Sequence, residues 1–252
     1  MKYAAALFLA GLGWVDRRHR VRPEYTVLNV SIRTVKKLTT YTHVIWDWNG
    51  TLLDDLYLCV DVINGLLSAR NLPRLSTERY QQIFDFPVID YYRELGFDLE
   101  KEPFEVVGTE FITTYETRRL EASLHDHVPE VLGCLENAGV GQSVLSAYLQ
   151  STLDELIIHF GLDSHFERRI GLDDHYATSK VDHGIRWMSE MSHEPHEVIL
   201  IGDSTHDHEV AQAMGVDCIL VAQGHFAKHR LEACGVPIVD SLSDLPGLSV
   251  RA

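Results

Sequence analysis

His43-Val44-Ile45-Trp46-Asp47-Trp48-Asn49-Gly50-Thr51-Leu52 is the stretch that decides the fold. A short apolar run ends in an acid, and Gly-Thr follows after two more residues. This is the pattern of a buried strand stopping at a sharp turn. At the carboxyl end of a parallel strand, such a turn gathers a carboxylate and several backbone N–H groups into one crevice. Asp47 there could be a nucleophile, a metal ligand or both, or could simply close an ordinary turn. The stretch alone does not choose between these.

Downstream, residues 55 to about 123 carry helical spacing and no strand signal. Leu56, Val60, Ile63 and Leu67 recur every three or four residues in a helix ended by Pro73. Further helices are expected from Ser76 to Phe84, over Val88–Leu95 and from Pro103 to about Leu120. From His127 the pattern alternates. Strands are expected at Val140–Ser146, Val198–Ile201, Cys218–Val221 and Ile238-Val239. Helices are expected at Val128–Ala138, Ser151–Phe160, Lys180–Met191, Glu209–Met214 and Phe226–Ala233. Alternation with short Gly turns predicts an α/β fold, a doubly wound parallel sheet with an all-helical insertion after the first strand. The expected boundaries are 41–54 and 125–252 for the core and 55–124 for the helical insertion. Asp47, Ser146 and Asp203 all fall at strand ends, so chain-distant groups converge on one crevice.

The 252 residues carry a net charge of −15, with 45% hydrophobic and 23% charged residues. The charge is uneven. Residues 1–40 hold eight Lys/Arg and two acids, leaving 14 basic and 35 acidic residues in the remainder. So acidic a body is a poor partner for nucleic acid phosphates. An anionic substrate would need local cations or a metal. The apolar run Tyr3–Val15 is short for a bilayer span. Residues 1–40 are an extension of uncertain status, an interaction or membrane-surface segment, or an export signal, and are set apart from the fold. Cys59, Cys134, Cys218 and Cys234 are widely spaced, as reduced thiols of a cytoplasmic protein would be.

Asp47-Trp-Asn-Gly-Thr-Leu, Leu145-Ser146-Ala147, Lys180 and Gly202-Asp203-Ser-Thr-His-Asp207 match, in order, the four motifs of the haloacid dehalogenase superfamily. Over about residues 42–245 the chain resembles its phosphoglycolate-phosphatase-like members, with a Rossmann-like core and a helical cap. The resemblance implies a Mg²⁺-dependent phosphatase acting on a small phosphorylated metabolite. Asp47 would be the nucleophile, forming an aspartyl-phosphate. Mg²⁺ would be held by Asp47, the Asn49 backbone carbonyl and Asp203, with Asp207 supporting the metal or orienting Lys180. Lys180 would pair with Asp47 and phosphate, and Ser146 would donate its hydroxyl. Backbone N–H groups of Trp48, Asn49 and Ala147 would add to an anion hole, with Gly50 in the same phosphate-binding turn and Thr51 bracing it. Phe86, in the loop between two cap helices, would cover the site with Val88, while Tyr91 and Tyr92 could equally pack the cap's own core. Ser146 as a strand cap and Lys180 as a solvated helix charge are the plainer alternatives. His206 and His208, two residues apart, do not share a helix face. No role is expected for the remaining histidines.

One position departs from the family. A second Asp usually stands two residues after the nucleophile and exchanges the proton of the leaving group and of water. Here it is Asn49, which keeps the shape but cannot exchange a proton near neutral pH. General acid–base help is worth about 10²–10⁴-fold. The expectation is a slow or specialised phosphatase favouring leaving groups of low pKa. Asp54, Asp55 or a cap residue is an alternative proton source. A catalytically weak phosphate- or partner-binding protein is the competing reading. Dehalogenase and phosphomutase are lesser ones, and the Asp203/Asp207 pair argues for a cation that carbon–halogen displacement does not need.

Overall fold

The computed structural model describes residues 36–172, 180–245 and 247. Nearly all of the N-terminal extension therefore lies outside the described residues. In chain order the elements are β1 (His43–Trp46), β2 (Leu53–Asp54), α1 (Leu56–Ala69), α2 (Thr77–Ile83), α3 (Val88–Glu94), α4 (Phe104–Arg118), β3 (Ser123–Leu124), α5 (Val128–Asn137), β4 (Gly141–Leu149), α6 (Gln150–His159), β5 (Arg168–Leu172), α7 (Lys180–Glu190), β6 (Val198–Gly202), α8 (Thr205–Met214), β7 (Asp217–Val221), α9 (Lys228–Glu232) and β8 (Ile238–Val239). Among the described residues no helix is long and apolar enough to cross a membrane.

Six strands form one parallel sheet in the order β5-β4-β1-β6-β7-β8. The chain winds outward from β1 to β4 and β5, then crosses back to β6, β7 and β8. The strand order thus reverses beside β1, where a doubly wound sheet opens its ligand crevice. Every residue of β1 and of β6 is buried, because helices cover both faces. A buried polar pair links β1 to β4 and β4 to α5. The Trp46 indole donates to Gln142 Oε1 at 3.1 Å, and the Gln142 amide donates to the Leu132 carbonyl at 3.0 Å.

Helices α1 to α4 occupy the expected insertion, but its hinge differs from expectation. The chain leaves and re-enters the core through an antiparallel ribbon of β2 and β3. A two-residue strand carries no readable period, so the sequence reads there as helix and turn. β5 is a third unpredicted strand, after β2 and β3. Its Arg-Arg-Ile-Gly-Leu sequence lacks the apolar run of a central strand, and its place at the sheet edge explains why it needs none. β4 runs past the expected end at Ser146 to Leu149, with a register break between Leu145 and Leu149.

His43, on β1 at the end away from the crevice, is fully buried. Its Nε2 meets Ser143 Oγ at 2.9 Å, while Nδ1 has no hydrogen-bond partner among the described residues. Burial, and less so the facing His193 ring, lowers its pKa to about 4. The unfolded chain, with a pKa near 6.5, binds a proton through the window that the native state refuses. His43 therefore withdraws stability as pH falls from about 6.5 to 4, by up to about 3 kcal/mol. Urea unfolding of wild type and His43→Gln at pH 7 and pH 4 should show the wild type losing ground by this order. An unchanged difference between the two pH values would exclude it.

Candidate active site

Each group in the crevice is placed by a local device. Asp47 follows the last residue of β1, and its N–H donates to Ile201 O on β6. The turn closes through Thr51, Leu52 and Leu53 N–H groups on Trp48 O, and Gly50 takes φ +76°. Asp203 follows β6. Ser204 caps α8 by accepting from Asp207 N–H, and Asp207 Oδ2 accepts from Ser204 N–H at 3.0 Å and Oγ at 2.6 Å. This capping box fixes Asp207 at the mouth of the helix. Ser146 sits in the register break of β4, its Oγ accepting from Tyr148 N–H at 3.1 Å. Lys180 begins α7.

The structure brings Asp47, Asp203, Asp207, Lys180, Ser146 and Ala147 together around one crevice of about 100 Å³. Lys180 Nζ bridges Asp47 Oδ1 and Asp207 Oδ1, the latter at 2.5 Å. Thr51 Oγ1 lies 3.3 Å from both Asp47 Oδ2 and Asp203 Oδ1. One expected phosphate contact resolves differently. The Gly50 N–H is directed inward, to Leu53 O at 2.9 Å and Asp55 Oδ1 at 3.1 Å, so Gly50 supplies a backbone shape. The Trp48 side chain is buried in the core and packs near Phe160, leaving only its backbone near the crevice. Phe86 lines the crevice, its ring centroid 5.2 Å from that of His206, whereas Val88, Tyr91 and Tyr92 pack inside the helical insertion. His208 faces a different groove.

Asn49 is held from behind. Its Nδ2 donates to Asp55 Oδ2 at 2.9 Å and to Tyr115 OH at 3.2 Å. Asp55, buried, also accepts from Tyr115 OH at 2.7 Å and from His225 Nε2 at 3.0 Å. Burial alone would raise the Asp55 pKa; the His225 charge, then its hydrogen bond and those of Asn49 and Tyr115, lower it to about 2. Burial likewise opposes charge on His225, but Asp55 and then Asp203 and Asp47 raise it to about 9. The other ring nitrogen of His225 meets Tyr80 OH at 3.2 Å, and its backbone N–H donates to Asp203 Oδ2 at 2.5 Å. His125 Nε2 contacts Gly50 O at 3.1 Å.

Sequence reasoning missed His225, Tyr115, Tyr148, Phe84 and Phe226, all of which line the crevice. A signal for His225 existed. Gln223-Gly224-His225 follows β7, so the strand-end rule that selects Asp47, Ser146 and Asp203 applies to it as well. Gly224 and Gly50 enclose Asp203. A Cβ at Gly224 would come within 2.1 Å of Asp203 Oδ2, and one at Gly50 within 2.4 Å.

The oxygens of Asp47, Asp203 and Asp207 lie within 4.8 Å of one another. Burial, then repulsion from Asp207, raises the Asp47 pKa to about 7 against the pull of Lys180; burial and the neighbouring acids raise Asp203 to about 6 despite His225. Asp207 is held low by Lys180 and Ser204 in spite of burial. Four carboxylates, counting Asp55, face two cations. Hard oxygen donors with two negative charges in excess fit Mg²⁺. Asp207 is engaged by Lys180 and Ser204 on both oxygens at 2.5 to 3.0 Å. Among the described residues, Asp47 Oδ2 and Asp203 Oδ1 each meet only the Thr51 hydroxyl at 3.3 Å, so Asp47 and Asp203 are the better-placed ligands.

Residues 44–221 match the family model described as haloacid dehalogenase-like hydrolase. The tyrosine-protein kinase PtkA of Mycobacterium tuberculosis is 28% identical over 184 residues, 72% of this chain. The match spans only 62% of that relative's length. A phosphoglycolate phosphatase of Rhodobacter capsulatus is 24% identical over 186 residues, covering 72% of this chain and 84% of the relative. The crystal structure of a predicted phosphatase from Clostridium acetobutylicum has the same fold, with a TM-score of 0.69 at 21% identity over 81% of this chain and 96% of that one.

A divalent cation must compete with protons for Asp47 and Asp203, whose raised pKa values disfavour the ionised forms as pH falls below about 7. Mg²⁺ should therefore raise the melting temperature more at pH 8 than at pH 6. Gly224→Ala, which displaces the Asp203 carboxylate, should abolish most of that shift. An equal shift at both pH values would place the ion elsewhere.

Proposed function

The chain belongs to the haloacid dehalogenase-like hydrolase family, and from that premise we propose that it is a Mg²⁺-dependent phosphoric monoester hydrolase working through Asp47. The observation that carries this reading is Lys180, shared between Asp47 and Asp207 and buried beside Asp203 at the sheet's switch point. Burial disfavours the Lys180 charge, but Asp207 and Asp47 more than offset it and raise its pKa, so the ammonium is retained to meet a phosphate. A buried ammonium between two carboxylates beside a third is expensive unless an anion and a cation complete it.

An Asp47 oxygen attacks phosphorus, the bond to the leaving oxygen breaks, and the phosphoryl group stays on Asp47. Water then cleaves the aspartyl-phosphate, releasing phosphate and restoring the carboxylate. Lys180 and the Ser146 hydroxyl hold phosphoryl oxygens, helped by the N–H groups of Asn49 and Ala147. Asp207 positions Lys180. Mg²⁺, held by Asp47, Asp203 and the Asn49 carbonyl, would neutralise charge on the phosphoryl group. Asn49 orients this turn but moves no proton, so both the departure of an alkoxide and the attack of water are slow. The substrate in this reading is a small phosphorylated metabolite of the cytoplasm.

The fixed amide of Asn49 also favours a second reading, a phosphate-binding protein with little turnover. A phosphate-release screen over phosphorylated metabolites, with and without Mg²⁺ and with Asp47→Asn as blank, separates the two. Mg²⁺-dependent release that Asp47→Asn abolishes supports the hydrolase, and phosphate binding without release supports the alternative. Asn49→Asp should speed alkyl phosphate hydrolysis by about 10²-fold or more. The new carboxyl would face Asp55, so Asn49→Asp with Asp55→Asn is the companion variant. No acceleration in either would refute the role given to position 49.

A further inference from the structure

We infer that the leaving group this site accepts is a phenol: its substrate class is aryl phosphates bearing no second anionic group. The inference rests on the hydrolase reading above and goes on to name what Asp47 would act upon. Three independent features of the crevice lead to it.

The first is the fate of the leaving oxygen. Where a family phosphatase would present a carboxyl, the structure presents an amide pinned by Asp55 and Tyr115. Asp55 cannot stand in. Its Oδ1 receives Gly50 N–H and His225 Nε2, and its Oδ2 receives Asn49, Tyr115 and the Cys59 thiol, so both oxygens are turned away to other donors. His206 ties Nδ1 to Glu209 at 3.1 Å and lies against the Phe86 ring. An alkoxide leaves poorly without a proton. A phenol has a pKa near 10 and can depart as the phenolate, taking the electron pair of the broken P–O bond and its proton later from water.

The second is the wall facing Asp47. Phe84, Phe86 and Phe226 form one aromatic group, with centroids 5.6 Å apart for Phe84–Phe86 and 6.0 Å for Phe84–Phe226, both edge-on. Tyr115 and Tyr148 form another, 6.3 Å apart and perpendicular. The two tyrosine hydroxyls are committed, to Asp55 at 2.7 Å and to Glu116 at 2.5 Å, so these residues offer ring surface to the crevice. A ring between the groups would find offset and edge contacts at ordinary aromatic spacing.

The third is charge. Among the described residues, each cation at the crevice already has its acid. Lys180 has Asp47 and Asp207, and His225 has Asp55, while the His206 ring is taken up by Glu209. Arg230, just behind Phe226 at 4.2 Å, is held by Asp85 and by the carbonyls of Gln81 and Phe84. A carboxylate or second phosphate on the leaving group would meet no spare positive partner, whereas a neutral ring needs none.

Three probes separate these features. Phenyl phosphate has the ring and the good leaving group, benzyl phosphate has the ring and an alkoxide leaving group, and acetyl phosphate leaves well without a ring. The quantity to compare is kcat/KM, which covers the steps up to loss of the leaving group and omits the common hydrolysis of phosphorylated Asp47. With full-length protein and Mg²⁺, kcat/KM for phenyl phosphate should exceed that for benzyl phosphate by about 10²-fold or more. On Asp47→Asn, which cannot react, phenyl and benzyl phosphate should bind in the presence of Mg²⁺ with similar dissociation constants, and acetyl phosphate at least about tenfold more weakly. Adding Phe86→Ala should weaken binding of the two ring compounds and leave acetyl phosphate unchanged. Benzyl phosphate turned over as fast as phenyl phosphate would overturn the inference, because a proton donor would then exist. Equal dissociation constants for acetyl and phenyl phosphate on Asp47→Asn would overturn it through the ring. Turnover of other phosphate esters but not phenyl phosphate would overturn it and leave the hydrolase reading standing. No turnover of any compound, with phosphate still bound, would overturn both.

Discussion

Everything at the switch point depends on a buried charge cluster that the protein alone does not balance. Asp47, Asp55, Asp203 and Asp207 are each less than a tenth exposed, and the described cations among them are Lys180 and His225. Burying an unpaired carboxylate is costly enough that the group takes up a proton instead, which is the direction Asp47 and Asp203 take. Asp207 and Asp55 escape that fate because each has its own cation and donors. The pair left frustrated is the pair that the proposed chemistry requires to be ionised. A divalent cation and a phosphoryl group together would relieve both.

The same cluster ties the helical insertion to the sheet. Tyr80 of α2 reaches His225, and Tyr115 of α4 reaches Asp55 and Asn49. Further out, Ala227 N–H donates to Gln81 O, and the Gln81 amide donates to Gly224 O at 2.7 Å. The aromatic wall and the ion pair behind Asn49 are therefore one packed unit. This explains why an asparagine suits position 49 structurally. An aspartate there would set a second carboxylate against Asp55, within 3 Å of a group already held at a pKa of about 2. The amide serves as a neutral donor to Asp55, and the geometry of the turn after Asp47 is kept with a group that carries no exchangeable acid proton.

Much of this was legible in the chain. The Val-Ile-Trp and Val-Ile-Leu-Ile runs marked central strands because residues buried on both faces must be apolar throughout. The acids and serine at strand ends marked the crevice, and the order of four motifs marked the family. What stayed hidden was tertiary. β5 opens on two arginines, which an edge strand tolerates, and the β2–β3 ribbon is too short for any period. The inward turn of the Gly50 N–H depends on Asp55, and the partnership of Asp55 with His225 joins residues 170 positions apart. Asn49 was recognised from sequence as a departure. Only the fold reveals that Asp55, a candidate substitute, is spent on holding it.

The central claim is that Asp47 takes the phosphoryl group and that Asn49 then leaves it stranded. Rapid quench with radiolabelled phenyl phosphate and Mg²⁺, followed by peptide mapping, reads this directly. The account predicts label on Asp47 approaching one per site in the wild-type protein, with release much slower than formation, and a far lower steady level when Asn49→Asp is combined with Asp55→Asn. Steady release of phosphate with no label on Asp47 at any time would contradict it.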